Sequence, residues 1–199
     1  MSELLNKKWR LTSFQTIILG FAGVILLGAL LLMLPISSKS GVVTPFNETL
    51  FTATSSACVT GLIVQDTGTY WSSFGQAVII ILIQIGGLGV VTVAAAFALL
   101  SGKKISFMQR STIQEAISAP KVGGIVRMPG FILKATFIIE LIGALVMMPV
   151  FCKDYGVRGI WMAVFHSISA FCNAGFDIMG TPDSLYPSLT SYVANPVIN

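Results

Sequence analysis

Charge is what this sequence has least of. Of 199 residues only 10% are charged, with 12 Lys and Arg against 8 Asp and Glu, while 54% are hydrophobic. A soluble domain carries about 25% charged residues, so an ordinary soluble globular protein is excluded and a membrane environment is indicated. Cysteine is scarce as well: Cys58, Cys152 and Cys172 are an odd number without metal-ligand spacing, which supports neither a disulfide framework nor a zinc site. They read as small apolar residues. Histidine occurs once, at His166, and neither G-x-S-x-G nor H-E-x-x-H is present. Without convergent nucleophile and base groups, an enzyme such as an intramembrane hydrolase is not supported. No residue pattern points to a soluble cofactor. The net charge of +4 does not indicate nucleic acid, because the basic residues form two clusters beside hydrophobic segments and lack interleaved aromatics.

What is present is a set of long apolar runs. "TIILGFAGVILLGALLLML", Thr16 to Leu34, has 19 residues and a helical length of roughly 28 Å, close to the hydrocarbon thickness. It exceeds a cleavable signal core and no A-x-A-like site follows, so it is expected to be a retained helix. A second run, Phe74 to Leu100, is 27 residues without a formal charge, and a third, Pro129 to Phe151, carries only Lys134 and Glu140. Three spans are expected. Lys7, Lys8 and Arg10 precede the first, and Lys103, Lys104, Arg110, Lys121 and Arg127 lie between the second and third. The positive-inside rule makes both regions cytoplasmic, giving a multi-pass plasma-membrane protein with a cytoplasmic N-terminus. "SFMQRSTIQEAISAP" in the inner connection reads as a short amphipathic helix at that surface.

The outer segments are shorter and more informative. In "TPFNETLFTATSSA" Thr44 suits an N-cap and Pro45 the first helical turn, predicting a helix to about Ala57. Its rise of about 20 Å is too short to cross a bilayer, and Gly61 lets the chain turn back. "RGIWMAVFHSISAFCNAGFD", Arg158 to Asp177, repeats the plan. Placing Gly175 over Gly61, an offset of 114 residues, also superposes Phe165 on Phe51, Ser169 on Ser55 and Cys172 on Cys58. Such agreement suggests an internal duplication. Non-helical backbone at membrane depth is tolerated only when buried in protein or lining water. Two re-entrant segments therefore suggest a pore, in which negative helix ends and main-chain carbonyls favour a cation.

The stretches "SSACVTGL", "SISAFCNAGFD" and "QIGGLG" together resemble the Trk/Ktr/HKT superfamily of potassium transporters, most closely its bacterial Ktr membrane subunits. The resemblance implies an all-α membrane protein built from tandem helix–pore loop–helix repeats, of which about one and a half of four are present. Residues 1–101 would be the first repeat, 102–128 the cytoplasmic connection, and 129–199 the second repeat without its final helix. The sequence stops at "SYVANPVIN", where that helix would begin, so the N-terminal part of a longer subunit is expected. A truncated, non-transporting assembly protein is the alternative. By the same resemblance Val59, Thr60 and Gly61 would line one quarter of a K⁺ selectivity filter, and Asn173, Ala174 and Gly175 another. Glycine at 61 implies K⁺, since more Na⁺-permissive plant members carry Ser there. The implied ion is K⁺, with Na⁺ as activator or coupling ion. The implied partners are membrane lipid, a second copy in a homodimer, and a cytoplasmic nucleotide-binding regulatory ring.

The remaining singled-out residues have ordinary readings. Gly86, Gly87 and Gly89 suit helix packing more than a hinge. Glu140 in a span should face protein or water, paired with a base or a backbone donor, with a structural ion pair favoured over ion binding, and Lys134 can snorkel. His166 reads as a packing or hydrogen-bonding residue. Glu48, Asp66, Asp177 and Asp183 read as loop charges or caps, with Asp177 the candidate for an outer cation mouth.

Overall fold

The computed structural model describes residues 12–90, 92, 93, 95 and 128–198. The described residues contain helices, turns and two isolated bridge pairs, and no strand. The helices are α1 (Ser13–Met33), α2 (Phe46–Ala57), α3 (Ser73–Leu88), α4 (Met128–Tyr155) and α5 (Arg158–Phe171), with short 3-10 turns at Pro35–Ser37 and Thr190–Tyr192. The basic residues 7, 8 and 10, expected on the cytoplasmic side, and the predicted amphipathic helix of 106–120 lie outside the described residues.

Local chemistry sets the helix ends. Thr12 and Gln15 form a reciprocal capping box at the start of α1, each side chain bonding the other's main-chain N–H. Beyond its first turn the exposed residues of α1 are apolar, including Ile18, Leu19, Leu26, Leu27 and Leu30. In α4 the exposed residues between Lys134 and Lys153 are apolar too, among them Phe137, Ile138, Leu141 and Leu145. Both helices are long and apolar enough to cross a bilayer, and hydrocarbon is the solvent that suits such surfaces.

Two expectations need correction. Thr44 does not cap α2: its hydroxyl hydrogen-bonds the Tyr70 hydroxyl at 3.0 Å. The N-cap is Pro45, whose carbonyl accepts from Glu48 and Thr49 N–H. Nor is the second apolar run one helix, because α3 ends at Leu88 after 16 residues. Gly89 takes φ 80°, its N–H bonds the Gly86 carbonyl at 3.0 Å, and its own carbonyl accepts from Val93 N–H as helical backbone resumes. Glycine reaches that φ without a Cβ penalty, so this position interrupts the helix while Gly86 and Gly87 serve packing.

A single apolar core joins the two halves of the chain. Leu32, Trp71, Ile79, Ile83, Phe151, Met162, Phe165 and Ile178 are all fully buried in it. Across the core, the Trp161 indole N–H donates to Gln76 Oε1 at 2.8 Å, and Gln76 Nε2 donates to the Thr67 and Trp71 carbonyls. This bridge holds α5 against the segment leading into α3.

Candidate functional site: two glycine turns

Both short helices end in the same way. After α2, Val59 has φ 57°, Val59 N–H bonds the Ser56 carbonyl at 3.2 Å, and Thr60 N–H bonds the Ser55 carbonyl at 2.9 Å. After α5, Asn173 has φ 54°, its N–H bonds the Ala170 carbonyl at 3.0 Å, and Ala174 N–H bonds the Ser169 carbonyl at 2.7 Å. Each is a Schellman cap, with its 6→1 and 5→2 bonds and a left-handed residue between. Two residues on, Gly61 and Gly175 again have positive φ, 74° and 71°. The offset of 114 residues seen in the sequence therefore recurs bond for bond in the main chain.

The turns also meet. A Cβ added to Gly61 would lie 2.7 Å from the Ala174 carbonyl oxygen and 3.3 Å from the Gly175 Cα, and one added to Gly175 would lie 3.5 Å from the Gly61 Cα. Only glycine allows main chains to approach so closely here. The C-terminal ends of α2 and α5 are brought to α3 by its own glycines: a Cβ on Gly86 would strike the Ala57 carbonyl, and one on Gly87 would come 2.6 Å from Cys172 Sγ. All six residues expected to line an ion path, Val59, Thr60, Gly61, Asn173, Ala174 and Gly175, thus belong to these two adjoining turns.

Different side chains hold each turn. Ser55 Oγ pairs with Thr60 Oγ1 at 2.8 Å in the first, whereas in the second Ser169 Oγ donates to the Phe176 carbonyl at 2.6 Å. His166 Nδ1 lies 2.7 Å from the Met162 carbonyl, and its Nε2 accepts from Ile178 N–H at 3.4 Å. A neutral ring donating at Nδ1 and accepting at Nε2 satisfies both contacts. His166 therefore tethers the ascending chain to α5.

Above the turns, Asp66 is buried and fully used. Its Oδ1 accepts from Thr69 N–H and hydroxyl at 2.7 and 2.8 Å, and its Oδ2 accepts from Tyr186 N–H at 2.8 Å. The carboxylate also leaves no room for a side chain at Gly180. Asp177 is partly buried and accepts from Met179 N–H at 2.9 Å. Burial pushes its carboxyl above the ordinary range, that hydrogen bond opposes the shift, and the Asp66 charge adds to it.

Below the turns, Glu140 of α4 does not form the expected ion pair. Gln84 Nε2 of α3 donates to Glu140 Oε1 at 2.8 Å, and Ser167 Oγ donates to the Glu140 main-chain carbonyl at 2.7 Å. An amide serves where a base was expected, because Gln84 is the polar group that α3 presents there. The sequence reading passed over Gln84, although an amide within an apolar run is itself a signal. It also passed over Tyr186, which reaches the first turn's ascending chain through both its N–H to Asp66 and its hydroxyl to the Val64 carbonyl.

Comparison with known proteins points to one family. The family model for TrkH, described as a cation transport protein, matches residues 8–199. The potassium/sodium uptake protein NtpJ of Enterococcus hirae is 44% identical over 92% of the chain, and the Ktr system potassium uptake protein B of Bacillus subtilis is 44% identical over 96%. Its namesake from Vibrio alginolyticus is 36% identical over 93%. The chain spans about two fifths of these relatives' lengths, 40%, 42% and 39% respectively.

Proposed function

The chain belongs to the TrkH family of cation transport proteins, and from that membership we propose that it carries two quarters of a K⁺ selectivity filter within a Ktr-type uptake subunit. The observation that carries this reading is the meeting of two identically capped half-helices at Gly61 and Gly175. In this reading Val59, Thr60 and Gly61, with Asn173, Ala174 and Gly175, direct carbonyl oxygens toward a dehydrating K⁺. The negative ends of α2 and α5 favour the same cation. Two quarters cannot enclose an ion, so the filter is completed by further repeats of the whole subunit, of which this chain is the N-terminal part. Asp177 lies at the outer mouth. The protein crosses the bacterial plasma membrane several times with its N-terminus in the cytoplasm, pairs with a second copy, and docks a nucleotide-binding regulatory ring on its cytoplasmic face, with Na⁺ as coupling ion or activator. The relatives' names, which specify potassium or potassium and sodium uptake, support the ion class.

The test is Gly61→Ser in the full-length protein, with Rb⁺ or K⁺ uptake into proteoliposomes measured against competing Na⁺. Discrimination between the ions should fall by about tenfold or more, equivalent to about 1.4 kcal/mol of differential binding. Uptake with unchanged discrimination would sink the filter assignment.

A further inference from the structure

One polar pair links α3 to α4. Glu140 is 4% exposed and accepts a hydrogen bond at Oε1 from Gln84 Nε2, 2.8 Å away. The remaining side-chain oxygens of the pair, Glu140 Oε2 and Gln84 Oε1, are both buried and have no hydrogen-bond partner. Among the described residues no cation bonds the carboxyl. An ionised Glu140 would then stand in the bilayer interior with a single side-chain donor, an uncompensated buried charge. The Gln84 side-chain carbonyl would separately remain unpaired.

One proton removes both faults. A carboxylic acid has one O–H donor, and an amide carbonyl is an acceptor. We propose that Glu140 and Gln84 form a proton-binding site, in which the Glu140 carboxyl carries a proton on Oε2 and donates it to Gln84 Oε1 while Gln84 Nε2 donates to Glu140 Oε1. The proton comes from hydronium in the aqueous phase as the carboxylate is buried: an O–H bond of hydronium breaks, one forms at Oε2, neutral water is left, and no redox partner is required. A metal cation suits the place less well, since hard cations gather about six oxygens and this pair offers two free ones.

The neighbours give the site its role. Gln84 lies just before Gly86 and Gly87, which pack against Ala57 and Cys172 at the ends of the two half-helices. The main-chain carbonyl of Glu140 accepts from Ser167 of α5. The acid–amide clasp therefore joins the first half of the chain to the second beside both turns while adding no charge there. Facing it are Gln84 from α3 and Ser167 and the Cys172 thiol from α5 and its cap; on its own helix Lys134 is exposed and lies six residues earlier. Glu140 acts as a positioning residue, and the clasp does not depend on the filter reading.

The test uses the full-length protein in lipid nanodiscs at neutral pH. Infrared difference spectra of wild type against Glu140→Gln should contain the C=O stretch of a protonated carboxylic acid, shifted in D₂O and lost in the variant. Gln84→Leu should move that band toward the position of an acid without an acceptor, or remove it. Glu140→Gln, a neutral stand-in for the acid, should melt within about 2 °C of wild type, and Glu140→Ala about 5 °C or more below it. No acid band assignable to Glu140, or a Gln variant as unstable as the Ala variant, overturns the proposal. If Glu140→Ala fails to fold, the infrared comparison of wild type with Glu140→Gln still decides.

Discussion

The two glycine turns reach the same main-chain path by different means. After α2 the ascending chain is held from two sides: Gln65 Nε2 bonds Glu48 Oε2 of α2 itself, while from the second half the Tyr186 hydroxyl bonds the Val64 carbonyl and Asp66 is fastened to Tyr186 N–H. After α5 it is held by its own helix, through Ser169 to Phe176, His166 to Ile178, and Arg158 to the Ile178 carbonyl. One substitution accounts for part of this. Thr60 offers Ser55 a hydroxyl partner, whereas Ala174 offers Ser169 none, and the serine turns to a carbonyl instead. The same hydrogen-bonded turn is thus supported by different side chains in the two halves. The first turn depends on the second half of the chain more than the second depends on the first.

The glycines provide the sharpest way to break that comparison. Both have φ near 70°, where a side chain costs about 1–2 kcal/mol. At Gly61 the new Cβ also meets the Ala174 carbonyl at 2.7 Å, whereas at Gly175 its nearest neighbour is at 3.5 Å, an ordinary contact. Gly61→Ala should therefore destabilise by about 3 kcal/mol or more and Gly175→Ala by about 1–2 kcal/mol. Thermal unfolding of the two variants in detergent measures both, and equal losses would mean that the turns do not abut as described.

Asp66→Asn tests the dependence of the first turn on the second half. Asparagine keeps an oxygen for Thr69 but sets an N–H₂ against the Tyr186 N–H that now donates to Oδ2. Hydrogen bonds to charged groups are worth about 1.5–3 kcal/mol, so a loss of about 2 kcal/mol is expected. Limited proteolysis should show the 181–190 segment opening first. Stability equal to wild type would leave the Asp66–Tyr186 link without weight.

Much of this architecture is legible in the sequence because its signals are local. The half-helices, the end of the first near Ala57 and the correspondence of Gly61 with Gly175 follow from apolar spacing, glycine placement and one internal offset. Other features depend on partners distant in sequence. Thr44 looks like an N-cap until Tyr70 takes its hydroxyl, and the glycines at 86, 87 and 89 favour packing over a hinge until Gly89 proves to break the helix. Asp66 reads as a loop charge because its partner is 120 residues away, at Tyr186. The Glu140 partner was expected to be a base because charge pairing is the usual remedy for a buried carboxylate; an amide in the facing helix does the work here. Hydropathy ranks residues one at a time and does not report which groups become neighbours.

A smaller test exchanges the residues at the left-handed caps. Val59 and Asn173 have nearly equal positive φ, but a β-branched residue is an outlier there and asparagine is tolerated. Asn173→Val should cost about 1 kcal/mol, lowering the melting temperature by about 2–4 °C. Val59→Asn should recover backbone strain but give up the contacts Val59 makes with the core, so its net gain should be below about 1 kcal/mol. If the two exchanges shift stability by equal amounts in the same direction, backbone conformation is not what distinguishes these positions.

The smallest expected effect is at Asp177, and its sign is informative. Burial, opposed by Met179 N–H and reinforced by Asp66, holds this carboxyl above the ordinary range, so the folded chain binds its proton more readily than the unfolded chain does. Stability contributed by that proton is greatest below the ordinary carboxylate range and is lost as pH rises through the interval up to the raised native value. Asp177→Asn should therefore melt slightly above wild type at neutral pH, with the difference vanishing in acid, and the shift should be small because the group is partly open to solvent. A cation at the outer mouth stabilises the ionised form. Raising K⁺ at constant ionic strength should narrow the gap between wild type and Asp177→Asn, whereas a gap indifferent to K⁺ would leave Asp177 as a cap on Met179 and remove it from the ion path.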